Sequence, residues 1–314
     1  MGDKHRDLEA ALLSDFGTSS AGGRPLFILG SPRTGSTFLY QAMAAAFELP
    51  FVANLTNDLY AETPIVGLSI QAAWPQHELL SADSRYGKTK GPFQPSEGSG
   101  LMRRWFGGGH PSELVSREVL ADQVAHIQET LRAADRLFGR PLLIKNAWNC
   151  FRISALARLF PQAAFIWIRR DIEASALSDL NARYAVQGDP LSWNSATPRN
   201  VDILRTRPYW EQVVENQAEF ARAITDGFSQ LAQRRTAVVW YEDLCADPST
   251  ELDRLAGELD VLAGMTARRV LPVRRADETY EALGVDDRAR LAGYLASQEE
   301  RLFDHVYRGK GAKA

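Results

Sequence analysis

Four apolar residues, Leu26 to Leu29, run directly into Gly30-Ser-Pro-Arg-Thr-Gly-Ser-Thr37. Beyond it Phe38, Leu39, Ala42, Met43 and Ala46 recur at helical spacings of three and four. A buried strand, a tight glycine loop and a helix in that order constrain this chain more than any other stretch of it. In such a βα unit the loop N–H groups and the helix N-terminus converge on one point, and the partial positive charge there favours an anion. The loop aligns with the phosphate-binding pattern G-x-x-x-x-G-K-[ST] at Gly30, Gly35 and Thr37, but Ser36 stands at the lysine position. The one cation in the loop is Arg33, with Thr34 beside it. A triphosphate-using enzyme sets that lysine on the β- and γ-phosphates. Its loss argues against ATP or GTP hydrolysis and leaves the anion cradle intact. The competing reading is an ordinary βα turn rich in small residues.

The pattern repeats down the chain. Leu142–Lys145, Ala164–Ile168 and Ala237–Tyr241 read as further strands, with helical stretches over 153–160, 172–183, 210–231, 248–259 and 286–303. Strands alternating with helices predict parallel βαβ units: a three-layer α/β fold, P-loop-like, with a central parallel sheet flanked by helices and ligands at the carboxyl ends of the strands. Pro50–Asn54 reads as a short second strand, and Leu120, Val124, Ile127, Leu131 and Phe138 as one stripe of a long helix starting near Ser112. The expected organisation is a polar N-terminal segment over 1–24, one domain over 25–308 and a short tail over 309–314. Within the domain, the Pro- and Gly-rich insert about 55–111 is expected to form short helices along a substrate cleft, and 184–207 a lid.

A net charge of −3 gives no support for a nucleic-acid or membrane-surface partner, and it makes local basic clusters more informative. Cys150 and Cys245 lack metal or redox spacing, the start has no apolar leader pattern, and no apolar run approaches a membrane span. A cytoplasmic protein is the expectation, with oligomeric state left open.

The strand 164–168 ends in Arg169-Arg170-Asp171, and Ser178 lies eight residues beyond Arg170. Arginines at the end of a buried strand call for an anion, although Asp171 or Glu173 could also pair with Arg170. GSPRTGST followed by FLYQAM, together with this Arg170/Ser178 spacing, resembles the sulfotransferases that use 3′-phosphoadenosine 5′-phosphosulfate. That resemblance implies that Arg33, Thr34, Gly35, Ser36 and Thr37 bind the 5′-phosphosulfate, and that Arg170 and Ser178 grip the 3′-phosphate. It also implies that Lys145 contacts the transferred sulfonate region and that Tyr241, opening Tyr241-Glu-Asp-Leu, lies near the adenine. Gly91-Pro-Phe-Gln-Pro-Ser-Glu97 resembles a segment of bacterial members. The implied activity is sulfonate transfer to a hydroxyl or amine of a small-molecule acceptor, with no metal.

Two departures matter. Ala147 occupies the place of the histidine base of cytosolic members, and the Arg-Lys-Gly segment that closes over the 3′-phosphate is missing, leaving Arg274-Arg275 as the basic pair of that region. An acceptor hydroxyl still needs a base within hydrogen-bond reach. The candidates are Glu62, Glu97 and His77, in that order, Glu62 because it follows Arg33 by 29 residues, close to where carboxylate-using members carry their base. Gly87-Lys88-Thr89 mimics the end of a phosphate-binding motif, but no strand precedes it, and it reads as a decoy. The rival functions are a P-loop small-molecule kinase or nucleotide phosphotransferase, and a non-catalytic nucleotide-binding module.

Overall fold

The computed structural model describes residues 2–17, 23–74, 80–81, 83–84, 87–108, 118–272 and 280–309. Its helices and strands follow in the order α1 (Gly2–Gly17), β1 (Leu26–Leu29), α2 (Ser36–Ala46), α3 (Asn54–Leu59), α4 (Pro64–Ala72), α5 (Ser99–Phe106), α6 (Val124–Phe138) and β2 (Leu143–Lys145). The chain continues through α7 (Ile153–Leu159), β3 (Ala164–Arg169), α8 (Ile172–Ala182), α9 (Val201–Leu204), α10 (Tyr209–Phe228) and β4 (Thr236–Trp240). It closes with α11 (Tyr241–Ala246), α12 (Pro248–Glu258), α13 (Val285–Ser297) and α14 (Glu299–Leu302).

The four strands pair in parallel in the order β2-β1-β3-β4, with Phe27 opposite both Ile144 and Phe165, and Ile166 opposite Ala237. Successive residues of β1 feed opposite faces, as strand geometry requires. Phe27 and Leu29 join Ile144, Phe165 and the helices α6, α7 and α10 on one side. Leu26 and Ile28 join Ile166, Val239 and the helices α2 and α12 on the other. Both faces being covered is why β1 reads as an unbroken apolar run. Because β1 has neighbours on both sides, the connections leaving β1 and β3 frame a crevice at their carboxyl ends, where open α/β sheets bind ligands.

Two expectations need correcting. Pro50–Asn54 forms no strand: Phe51 bridges Leu143, Ala53 bridges Pro95, and the chain then enters α3. The Asn54 amide donates to Thr89 Oγ1 and the Gly91 carbonyl at 3.0 and 2.9 Å, which fixes this entry and leaves the apolar run too short to pair further. The long helix begins only at Val124, after a 3₁₀ turn over Ala121–Gln123, so Leu120 lies outside its stripe; Ser112 lies outside the described residues. The polar first helix is also tied in. Glu9 of α1 is buried, and its two carboxylate oxygens accept from the N–H groups of Ile65 and Val66 at the start of α4. That start carries Pro64 and no side-chain cap of its own, so Glu9 satisfies amides that the helix cannot.

The stretch expected to form a lid leaves α8 through a π-helical turn, Arg183–Gln187, a local irregularity common beside functional sites. No described helix is long and apolar enough to cross a membrane.

Candidate active site

The glycine loop turns at the carboxyl end of β1, and its glycines are demanded by close approach. A Cβ on Gly30 would lie 2.7 Å from Thr34 Oγ1 and 2.9 Å from an Ile168 methyl. Gly35, at φ +85°, begins α2, and a Cβ there would meet the Tyr241 ring at 2.2 Å. No side chain caps α2, so its first N–H groups point out of the helix end at the loop. Arg33 is itself left-handed at φ +73°, a costly conformation for an arginine that recurs at functional sites.

That conformation is held from both ends. Arg170, just past β3, donates to the Arg33 carbonyl at 3.0 Å, while Arg33 Nε donates to Ser178 Oγ on α8 at 3.2 Å. The Arg170 guanidinium also lies 4.8 Å from the Tyr241 ring centroid and donates to the Tyr280 hydroxyl at 3.3 Å. Asp171 does not spend its carboxylate on this group: it caps α8 by accepting from Glu173 N and Ala174 N, and it takes the Tyr307 N–H as well. Beneath the loop, Gly30 N donates to Cys150 Sγ at 3.3 Å, and burial pushes the thiol up to about 12, so it stays protonated. Burial likewise raises the Glu242 carboxyl, whose Oε1 accepts the Asp171 N–H at 2.9 Å.

A second cluster forms where β2 ends. Lys145 is buried, its ammonium ion-paired with Glu97 and 3.4 Å from Thr37 Oγ1 on the first turn of α2. Asn146 donates to the Glu97 carbonyl at 3.1 Å and so fixes the backbone that carries the carboxylate. Gly87 passes directly over this group: a Cβ on it would sit 3.5 Å from Glu97 Oε1 and 3.7 Å from Thr37 Oγ1. Between the two clusters lies the loop. Arg33, Arg170 and Lys145 therefore surround one helix N-terminus, an arrangement that attracts a polyanion.

From Glu97 a cleft of about 1170 Å³ opens outward between α3, residues 87–97, Ala147-Trp148 and residues 186–196. The structure thus brings Arg33, Gly35, Ser36, Thr37, Arg170, Ser178 and Tyr241 together at the loop, and Lys145 and Glu97 beside Thr37. Thr34 is buried in the loop, but its hydroxyl is spent on the Ser31 carbonyl at 2.8 Å. Glu62 is elsewhere: its side chain is 73% exposed, pairs with Arg104 at 3.6 Å and does not line the cleft. After Asn54 the chain coils into α3 instead of returning to the loop, which carries Glu62 outward. His77, Arg274 and Arg275 lie outside the described residues.

Sequence reading missed Gly87, Asn146 and Tyr280. The Gly87-Lys88-Thr89 decoy crosses the site after all, not as a phosphate loop but as a turn whose left-handed Gly87, at φ +81°, passes beside Glu97. Nothing local signals this, since Glu97 and Thr37 meet it from distant segments.

A family model described as "Sulfotransferase family" matches residues 25–262. Two curated relatives, both omega-hydroxy-beta-dihydromenaquinone-9 sulfotransferase Stf3, from Mycobacterium bovis and Mycobacterium tuberculosis, are 29% identical over 119 residues. That stretch is 37% of this chain and 28% of each relative, so the match spans little more than a quarter of the curated relatives' length. Among solved structures, the sulfotransferase STF9 from Mycobacterium avium superposes with a TM-score of 0.50 at 16% identity, covering 92% of this chain and 72% of that one, a likeness of fold.

Proposed function

The chain belongs to the sulfotransferase family, and we propose that it moves the sulfonate of 3′-phosphoadenosine 5′-phosphosulfate to the hydroxyl of a small-molecule acceptor. The observation that carries this reading is the pairing of two cation clusters across one glycine loop, Arg33–Arg170–Ser178 on one side and Lys145–Thr37–Glu97 on the other. A nucleotide with phosphates at both ends of its ribose fits such a pair, and a helix start left without a side-chain cap suits the phosphate next to the sulfonate.

When bound, the donor supplies a sulfonate on a phosphate leaving group, so transfer forms one S–O bond to the acceptor and breaks one S–O bond to the phosphate. Lys145 and the N–H groups of Ser36 and Thr37 neutralise charge on the departing phosphate. Arg170 and Ser178 hold the 3′-phosphate, and Tyr241 packs beside the adenosine. Glu97 takes the acceptor proton; of the two base candidates among the described residues, Glu62 and Glu97, it is the one that lies on both the Lys145 cluster and the acceptor cleft. In the free protein its ion pair with Lys145 keeps each charge compensated until the substrates arrive.

Calorimetry with adenosine 3′,5′-bisphosphate and with ATP, each with and without Mg²⁺, tests the reading. The bisphosphate is expected to bind without Mg²⁺ and much more tightly than ATP, because Ser36 replaces the lysine that grips a triphosphate. Tight, Mg²⁺-dependent ATP binding would turn the assignment to a kinase or phosphotransferase.

A further inference from the structure

Arg170 stands in the short turn between β3 and α8, and both of its neighbours are bound by one segment that follows α14. The Arg169 guanidinium lies between the Trp167 and Trp240 rings, 4.6 and 4.4 Å from their centroids, and donates to the Asp304 carbonyl. On the other side, Asp171 Oδ2 accepts the Tyr307 N–H at 3.0 Å, while its Oδ1 caps α8. Residues 304–307 therefore hold the turn both before and after Arg170.

Tyr307 also reaches the neighbouring turn. Its hydroxyl donates to Asp243 Oδ1 at 2.6 Å, and its ring packs against Trp240 with centroids 5.4 Å apart. That bond pushes the phenol up to about 12, so it remains a donor across the neutral range. Asp243 lies in the first turn of α11, two residues after Tyr241, and the intervening Glu242 takes the Asp171 N–H. One tyrosine thus bridges the β3–α8 turn, which carries Arg170, to the β4–α11 turn, which carries Tyr241. These are the two side chains that meet at 4.8 Å beside the glycine loop.

The sheet does not do this work. The last registered pair of β3 and β4 is Arg169 opposite Trp240, so the separation of Arg170 from Tyr241 is set beyond it. Nor does the core fix the segment. Leu302 is buried just before it and Arg301 is ion-paired with Glu215 of α10, but Val306 is 39% exposed. A stretch that buries so little is placed by its polar bonds to Arg169, Asp171 and Asp243.

We infer that residues 304–307 form a clasp for nucleotide recognition, with Tyr307 as the positioning residue that sets Arg170 against Tyr241. Tyr307 acts through those two side chains and not on the nucleotide itself. The role in recognition rests on the assignment of the 3′-phosphate to Arg170; the clasp itself is independent of it.

Two measurements on the full chain keep these apart. The first is amide hydrogen exchange, without nucleotide, over residues 169–176 and 241–246. The second is the affinity for adenosine 3′,5′-bisphosphate relative to adenosine 5′-monophosphate. Tyr307→Ala should speed exchange in both segments and lower that ratio about fivefold, and Tyr307→Phe, which keeps the ring, about threefold. In an Arg170→Ala background neither substitution should lower the ratio further. Phe303→Ala, one residue before the clasp and with its ring against the Arg308 guanidinium, should change neither quantity. Should the alanine variant of Tyr307 not fold, Tyr307→Phe decides on the same two readouts. Unchanged exchange in both segments would overturn the inference. So would a ratio that falls in Arg170→Ala but holds in the Tyr307 variants, or one that Tyr307→Phe lowers further in the Arg170→Ala background. Faster exchange in both segments together with a ratio indifferent to Arg170→Ala would keep the clasp and remove the 3′-phosphate from Arg170.

Discussion

On the phosphate side, the glycine loop, Arg170 and Ser178 come from segments that each sit at the end of a parallel strand or on the helix after it. On the acceptor side, Glu97, Gly87, Asn54 and the lid come from irregular stretches held together by side chains. The first region is rigid by construction: the sheet register sets Leu29 of β1 beside Trp167 of β3, so the loop and Arg170 meet whatever the rest of the chain does. The second depends on individual contacts, such as Asn54 to Thr89 and Asn146 to Glu97. Changes on the phosphate side should therefore act on nucleotide affinity, and changes on the acceptor side on turnover.

The largest effect that this contrast allows is the loss of the proposed base. Glu97→Gln keeps the shape of the side chain and the Asn146 contact to its carbonyl but cannot take a proton. Turnover should fall by about 10²- to 10⁴-fold while affinity for adenosine 3′,5′-bisphosphate stays within a few-fold. Glu62→Gln, at a side chain 73% exposed and paired with Arg104, should leave both unchanged. Stopped-time assays and calorimetry on the two variants check the pair of outcomes. A fully active Glu97→Gln protein would return the role to another group and break the proposed division.

How much of this was legible follows from the same contrast. The phosphate side was readable because its chemistry is contiguous: GSPRTGST carries its own strand, turn and helix start, and Arg170 with Ser178 needs only a spacing along one βα unit. The parallel sheet was readable from the unbroken apolar runs of β1 and β3, which only two-sided burial explains. The acceptor side was not. Glu62 and Glu97 look alike in sequence, and what separates them is that Asn54 starts a helix where an extended strand was expected. Gly87 was dismissed for lacking a strand before it, yet its left-handed turn passes beside Glu97 and Thr37. Arg183 merely ends the helix expected over 172–183, and only the packed structure reveals it fully buried against Trp193.

Two glycines at similar φ sharpen the comparison further. Gly35 at φ +85° and Gly87 at φ +81° both pay a strain of about 1–2 kcal/mol if replaced by alanine. Their surroundings differ. A Cβ on Gly35 collides with the Tyr241 ring at 2.2 Å, so Gly35→Ala must displace either the ring or the start of α2. Nucleotide affinity is expected to drop on the order of 10- to 100-fold, since the loop N–H groups lose their common focus. A Cβ on Gly87 meets only ordinary contacts, at 3.5 Å from Glu97 and 3.7 Å from Thr37, and would stand beside the proposed base. Gly87→Ala should therefore reduce turnover about tenfold and leave nucleotide affinity nearly untouched. Equal losses of affinity in the two variants would mean that the two sides are not separable.

The smallest expected effect is on Arg170, and it is also the most specific. Besides its contact to the Tyr280 hydroxyl at 3.3 Å, its guanidinium is given two tasks: one N–H holds the Arg33 carbonyl at 3.0 Å, and the group, above the Tyr241 ring, is proposed to meet the 3′-phosphate. Arg170→Ala removes both. Losing the charged contact should reduce the preference for adenosine 3′,5′-bisphosphate over adenosine 5′-monophosphate by about tenfold, at the low end for a hydrogen bond to a charged group, since Arg33 and Ser178 remain. Loosening the Arg33 carbonyl, in contrast, would weaken both nucleotides alike and leave their ratio unchanged. The ratio therefore separates the tasks where either affinity alone cannot. Arg170→Lys sharpens the distinction, because an ammonium can still meet a phosphate as a point charge but cannot fork to the carbonyl at the same time. If that variant restores the ratio but not the absolute affinity, Arg170 both recognises the 3′-phosphate and locks the loop. An unchanged ratio in Arg170→Ala would confine it to the lock, and recognition of the 3′-phosphate would have to come from elsewhere around the loop.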